Sequence, residues 1–338
     1  AVTAITATVA AGPTTGAFTI TENAALTLNG VKLTVQGTSN TEANGGEYDG
    51  TGFILNNSAN GNGGKLILNN AEVELTGLQR GMGFQVSAEN LASVEMINSK
   101  LTIQNIDGNA SNGGRWDIKE GSSVTVKNCG DHGLSAEDVN VDGSTVDVQN
   151  VGSVGILSKN ITLTNGAEVS VTNSGAKLPL TSQWAPNGSQ YENAVEVKKA
   201  GSLSVDKTSS MVLTGNKNNS GDSVNTVLVA EGTLNNQGTI TADEIKTTAP
   251  NGSHSVRVVV DGQVVAAATV TANSDYTLPA APSKNNYTFQ GWHDGTKLHA
   301  AGETVEITAD TTFTADWSYN GGGGGGGGSS SYSISVDK

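Results

Sequence analysis

Three sets of residues have types and spacings that could do chemistry. The first is Asp107, Asp131 and Arg115. Two carboxyls held about 6.5–9.5 Å apart can share the acid and base work of an inverting glycosidic cleavage. A guanidinium beside them would serve as base or anion contact. The second set is aromatic: Tyr48, Trp184 and Tyr191, with Glu192 beside the last. Rings on loops are stacking platforms for sugars and anchors for protein contacts. The third is the oxygen-rich run Asn105-Ile-Asp-Gly-Asn-Ala-Ser-Asn112. It could gather Ca²⁺, but it lacks the charge count and closing Glu of an EF-hand loop. Each set has a plainer reading. Asn/Asp/Gly runs are mostly turns, and loop rings often fold back to pin their own loops. No Ser-His-Asp spacing and no P-loop occurs, and His254, His293 and His299 are scattered. No cofactor is expected beyond the slight Ca²⁺ signal.

Composition narrows the classes. The 338 residues carry 18 Lys+Arg against 32 Asp+Glu, a formal charge of −14. Nucleic acid is excluded as a partner, because phosphate neutralisation needs a basic patch. Charged residues make up only 15%, against about 25% in ordinary globular chains. One Cys excludes a disulfide framework and multi-Cys metal sites. No apolar run approaches the roughly 18 residues of a membrane span, so membrane insertion is not expected.

The elements that position these residues are written as a repeat. Residues 25–30 and 32–37 read Ala-Leu-Thr-Leu-Asn-Gly and Lys-Leu-Thr-Val-Gln-Gly. The same pair recurs at 65–70 with 72–77, 93–98 with 100–105, 138–143 with 145–150, 160–165 with 168–173, and 202–207 with 210–215. Period-two alternation gives a strand with one buried face. The closing Asn or Gly supplies a left-handed residue at a sharp corner. A third short strand precedes each pair, at Phe53/Leu55, Phe84/Val86, Leu134/Ala136, Val195/Val197 and Val227/Val229. Three short strands per repeat of about 22 residues predict a parallel β-helix over 1–249, right-handed as the fold usually is. Asn105, Asn128, Asn150 and Asn173 should stack as an asparagine ladder at about 4.8 Å per coil. Trp116 should be core. Cys129 aligns with Val151 and should be a buried, inert thiol.

Insertions interrupt the repeat, the longest being 38–50 and 174–193, which hold Tyr48, Trp184, Tyr191 and Glu192. Variable loops on a rigid scaffold are where function usually sits. The repeat is similar to pectate-lyase-like β-helix surface proteins. That resemblance implies, as an alternative, a polysaccharide lyase or glycoside hydrolase using Asp107, Asp131 and Arg115. The segment Gly130-Asp-His-Gly133 has a faint likeness to the Gly-His-Gly motif of polygalacturonases, but the paired Asp-Asp before the His is missing.

Composition shifts near Pro250-Asn-Gly252. Beyond it stand Pro279-Ala-Ala-Pro282, Tyr287-Thr-Phe-Gln-Gly-Trp292 and Thr311-Thr-Phe-Thr-Ala-Asp-Trp317. These resemble the Listeria–Bacteroides repeat, the B-repeat of internalins, over 254–317. The resemblance implies a small β-grasp-like module over 250–319, a spacer of secreted bacterial surface proteins. It brings no catalytic residues, and its aromatics Tyr287, Phe289, Trp292, Phe313 and Trp317 are expected in its core. A Gly/Ser linker follows over 320–331. Residues 332–338 read as the start of a further domain, with cell-wall anchoring beyond it. The expected function is non-enzymatic and adhesin-like, on the bacterial cell surface, binding a glycan or a surface protein of a host or neighbouring cell. A passive stalk is the second alternative.

Overall fold

The computed structural model describes residues 3–9, 16–37, 50–56, 63–84, 92–175 and 193–320. Tyr48, Trp184, Tyr191 and Glu192, the linker beyond residue 320 and segment 332–338 lie outside the described residues. Those described form an all-β structure of long parallel ladders, consistent with a β-helix.

One ladder has nine strands. They are β1 (Thr3–Val9), β4 (Val31–Gly37), β7 (Glu72–Thr76), β10 (Lys100–Ile106), β13 (Ser123–Cys129), β15 (Thr145–Val151), β17 (Glu168–Thr172), β19 (Ser210–Thr214) and β22 (Thr239–Thr241). Every neighbouring pair in it is parallel. A second ladder runs through β2 (Gly16–Ile20), β5 (Thr51–Leu55), β8 (Arg80–Phe84), β11 (Ser111–Asn112), β14 (Leu134–Asp142), β16 (Ile156–Thr164), β18 (Val195–Val205), β20 (Thr226–Ala230) and β23 (Glu244–Thr248). A third comprises β3 (Ala25–Asn29), β6 (Lys65–Asn69), β9 (Ser93–Ile97) and β12 (Arg115–Lys119). It joins the C-terminal halves of β14, β16 and β18, and ends on β21 (Thr233–Asn236). Inward residues such as Leu66, Leu68, Val94, Met96, Trp116 and Ile118 are all buried in one continuous core. Trp116 pairs with Val94 and Val139, so its strand is the first of a repeated pair.

The corners follow the sequence. Asn70, Asn98, Asn105, Asn128, Asn150, Asn165 and Asn173 all have φ between 44 and 56°. Short polar side chains tolerate that left-handed region best after glycine. Asn128 Nδ2 donates to Asn105 Oδ1 at 3.1 Å, and Asn150 Nδ2 donates to Asn128 Oδ1 at 3.2 Å. A second, buried file was not expected. The Ser99, Ser122 and Ser144 hydroxyls accept the N–H of Ala71, Ser99 and Ser122 in turn, at 3.0, 3.0 and 3.1 Å.

One register differs from expectation. Met82 and Phe84 pair with Phe53 and Leu55, so the inward pair on β8 begins two residues before the expected Phe84/Val86. Glycine hid it. At Gly81 an added Cβ would lie 2.6 Å from the Ala110 carbonyl oxygen, so no side chain fits there, and with Gly83 it leaves the strand without polar residues to mark its alternation.

Beyond a turn at Pro250, the module comprises β24 (Ser253–Val260), β25 (Gln263–Thr271), β26 (Ser274–Thr277), β27 (Tyr287–His293), β28 (Leu298–His299), β29 (Thr304–Ile307) and β30 (Thr311–Tyr319). β24 pairs antiparallel with β25 and parallel with β30, and β27 lies antiparallel on β30. No helix crosses the sheet; β26 and β29 form a separate ribbon. Trp292 and Phe313 are buried with Val256, Val258, Leu278 and Ile307. The other expected core aromatics are not: Phe289 and Trp317 are half-buried, and Tyr287 is 37% exposed. Phe289 and Trp317 still pack against that core from its margin, and Tyr287 packs on Tyr319.

Candidate functional site

The candidate site is the corner at which the chain leaves the nine-stranded ladder. The turns there stack by backbone hydrogen bonds. Asp107 N–H donates to Leu78 O at 2.9 Å, and Gly130 N–H to Ile106 O at 3.0 Å. Gly152 N–H donates to Cys129 O at 2.9 Å, and Gly175 N–H to Val151 O at 2.8 Å. Both longest insertions are rooted on this corner. One leaves after Gly37 and re-enters at Gly50, ahead of β5; the other leaves after Gly175 and re-enters at Asn193, ahead of β18. Five steps of the ladder separate β4 from β17, about 24 Å at about 4.8 Å per step.

The rungs between carry ionisable groups. Asp107 and Asp131 occupy stacked turns, the Asp131 N–H donating to Gly108 O at 3.3 Å. Burial raises the Asp107 carboxyl above its ordinary range. Asp131 Oδ1 lies 3.1 Å from His132 Nδ1. The His132 backbone N–H donates to Asn109 Oδ1 at 3.2 Å, which fixes one turn against the other. Glu196, pointing outward from β18, is also raised, chiefly by burial, against the opposing pull of Asn193, His132 and Lys198. A carboxyl that holds its proton to a higher pH than usual is better placed to donate it or to hydrogen-bond to a ligand hydroxyl. Arg80, at the head of β8 in register with Thr51, is only 8% exposed.

Arg115 stands elsewhere. It heads β12, pairs with Asp138 in register, and binds that carboxylate Nε to Oδ2 at 2.9 Å. The expected trio is therefore split: the two aspartates share a corner, and the arginine belongs to the third ladder. That ladder's outward face is closed on itself. Glu95 is bridged by Lys65 and Lys119 at 2.5 and 3.3 Å, and Asn140 donates to Asp117 at 2.9 Å. Asn160 donates to Asp138 at 2.8 Å and accepts from Ser202 at 3.0 Å.

The Asn105–Asn112 run is built as a turn. Asn105 Oδ1 accepts from Asn128, Asn109 Oδ1 from His132 N–H, and Asn112 Oδ1 from Phe84 N–H at 2.9 Å. Among the described residues no three His, Cys, Asp or Glu side chains gather as metal ligands. Cys129 is fully buried and pairs with Val151; burial pushes its thiol up to about 12. Glu196 escaped the sequence reading because Val-Glu-Val is an ordinary alternating strand. Its one signal was position, three residues after the long insertion re-enters.

Residues 254–316 match the Listeria-Bacteroides repeat domain family. Comparison with curated proteins gives no match. Among the described residues no helix is long and apolar enough to cross a membrane.

Proposed function

We propose that the chain is a non-enzymatic, adhesin-like protein of the bacterial cell surface. Residues 1–249 would form a right-handed, pectate-lyase-like β-helix with three strands per coil. Its insertion-bearing corner would bind a glycan or protein of a host or neighbouring cell. The 250–319 module would act as its spacer. One observation carries the binding part: both insertions that hold Tyr48, Trp184, Tyr191 and Glu192 are rooted on the same corner, with Asp107, Asp131, His132 and Glu196 on that side. Aromatic platforms flanking polar groups are what a sugar chain needs.

The test is a glycan array probed with the full chain beside Trp184→Ala/Tyr191→Ala. A hit that the double variant loses supports the reading; a hit the variant keeps overturns these residues as the binding site. A blank array shifts the weight to a protein partner or a passive stalk. A polysaccharide lyase or hydrolase is the second reading, favoured by Asp107 and Asp131 on adjacent stacked turns. It requires cleavage of the bound glycan, lost in Asp131→Asn. A glycan bound and never cut removes it.

A further inference from the structure

The last coil of a parallel stack has the same difficulty as any terminal repeat. Its strand edges lack partners, and its apolar interior lacks a following coil. Here the terminal strands are β21, β22 and β23. The module supplies the missing cover. β25 pairs antiparallel with the outer side of β21, Leu234 opposite Ala267 and Asn235 opposite Ala266. Val264 and Ala267 of β25 are 5% and 3% exposed, and they belong to the core of the long stack together with Leu234, Ile240 and Ile245. Neighbouring Val265, Ala266 and Val270 pack instead on the module's own core. One strand thus serves two cores. Its composition agrees: Val264-Val265-Ala266-Ala267-Ala268 has no polar alternation, which is how a strand covered on both faces reads.

Polar groups at the end are matched as well. Arg257 Nη2 on β24 donates to the Ile245 carbonyl of β23 at 3.2 Å, and Thr269 Oγ1 donates to the Thr248 carbonyl at 3.4 Å. Asn236 Nδ2 on β21 donates to Val264 O at 3.3 Å, and the Thr247 and Ser255 hydroxyls are 2.6 Å apart. Two carbonyls of the last strand and the edge of β21 are thereby satisfied by module residues.

We infer that the Listeria-Bacteroides repeat module is the C-terminal cap of the parallel stack, and that its β24–β25 hairpin and the last coil open as one unit. This goes beyond a spacer role and does not rest on the binding proposal. A spacer joined only by the Pro250 turn would move and unfold independently. A cap removes the edge that would otherwise add a strand from another chain.

Hydrogen exchange followed by mass spectrometry on the full chain tests it. In the wild type, segments 233–248 and 256–271 should exchange together. Ala267→Glu places a charge in the joint, on the side of β25 that faces the stack. It should speed exchange at 233–248 at least tenfold while 287–293, inside the module, stays slow. Unchanged protection at 233–248 in this variant overturns the cap. Should Ala267→Glu also open 287–293, the milder Arg257→Ala decides. It removes only the bond to Ile245 O from the joint, and should speed 244–248 several-fold with 287–293 unchanged. No change at 244–248 overturns the inference.

Discussion

His299 has a carboxylate on each ring nitrogen. Nε2 lies 2.9 Å from Asp294 Oδ2 and Nδ1 lies 2.8 Å from Glu303 Oε1. A neutral imidazole can donate from only one nitrogen, so two acceptors hold the ring as the imidazolium. Burial works against that charge. The bonds to Asp294 and Glu303 outweigh burial and the repulsion of Lys297, and the net shift of the histidine is upward. The same bonds hold Asp294 and Glu303 below the usual carboxylate range, aided by the backbone N–H groups of Lys297, Thr296 and Ala300. The ring also stands edge-on to Phe313, at the module's core. The sign follows. A raised histidine contributes in full below its unfolded value near 6.5, and its contribution fades as pH rises through the higher folded value. The depressed carboxylates contribute above about pH 4, and their share is lost as pH falls. His299→Gln should cost about 1–3 kcal/mol near pH 6. In paired thermal melts the Tm gap should narrow towards pH 9 and again towards pH 2. A gap that stays flat with pH would show that the ring is not held charged.

At the scale of elements, strand alternation and corner asparagines were legible because both are local. Each Asn stands beside the last residue of its own strand, and its left-handed φ is set by the corner it turns. The buried file Ser99–Ser122–Ser144 was not legible. Serine reads as polar and outward, and only stacking reveals that each hydroxyl accepts an N–H of the preceding coil. The register of β8 was hidden by Gly81 and Gly83, which carry no alternation to count. β14, β16 and β18 each run from the second ladder into the third as one strand where the sequence reads two; β14 and β16 carry no Gly or Pro at the corner, and β18 turns it at Gly201 without a break. Asn128 separates the two uses of asparagine, since it has φ 55° and both donates and accepts in the ladder. Asn128→Gly loses the side-chain bonds and keeps the backbone comfortable. Asn128→Ala loses the bonds and adds about 1–2 kcal/mol of left-handed strain. Urea denaturation should therefore rank wild type above Gly and Gly above Ala. Equal midpoints for Gly and Ala would mean that conformational preference does not select the residue.

At the scale of the whole molecule, the sequence placed Asp107 and Asp131 on neighbouring turns because their spacing is close to one repeat. It misplaced Arg115 and missed Glu196, because lateral position depends on which ladder a strand joins, and the long insertion breaks the count just before β18. What the sequence left open was whether the two aromatic-bearing insertions share a side. Their roots do, with a stacked run of polar turns between them. The roots stand five ladder steps, about 24 Å, apart, and if one ligand engages both insertions across that span its two contacts should cooperate through effective concentration. For oligosaccharides of a recognised glycan, affinity measured by calorimetry should climb with chain length until that span is reached, then level off. Tyr48→Ala and Trp184→Ala/Tyr191→Ala should each weaken the long oligomers, while a short oligomer should respond to only one of them. Affinity independent of length would put recognition within a single insertion and dissolve the idea of one continuous binding surface.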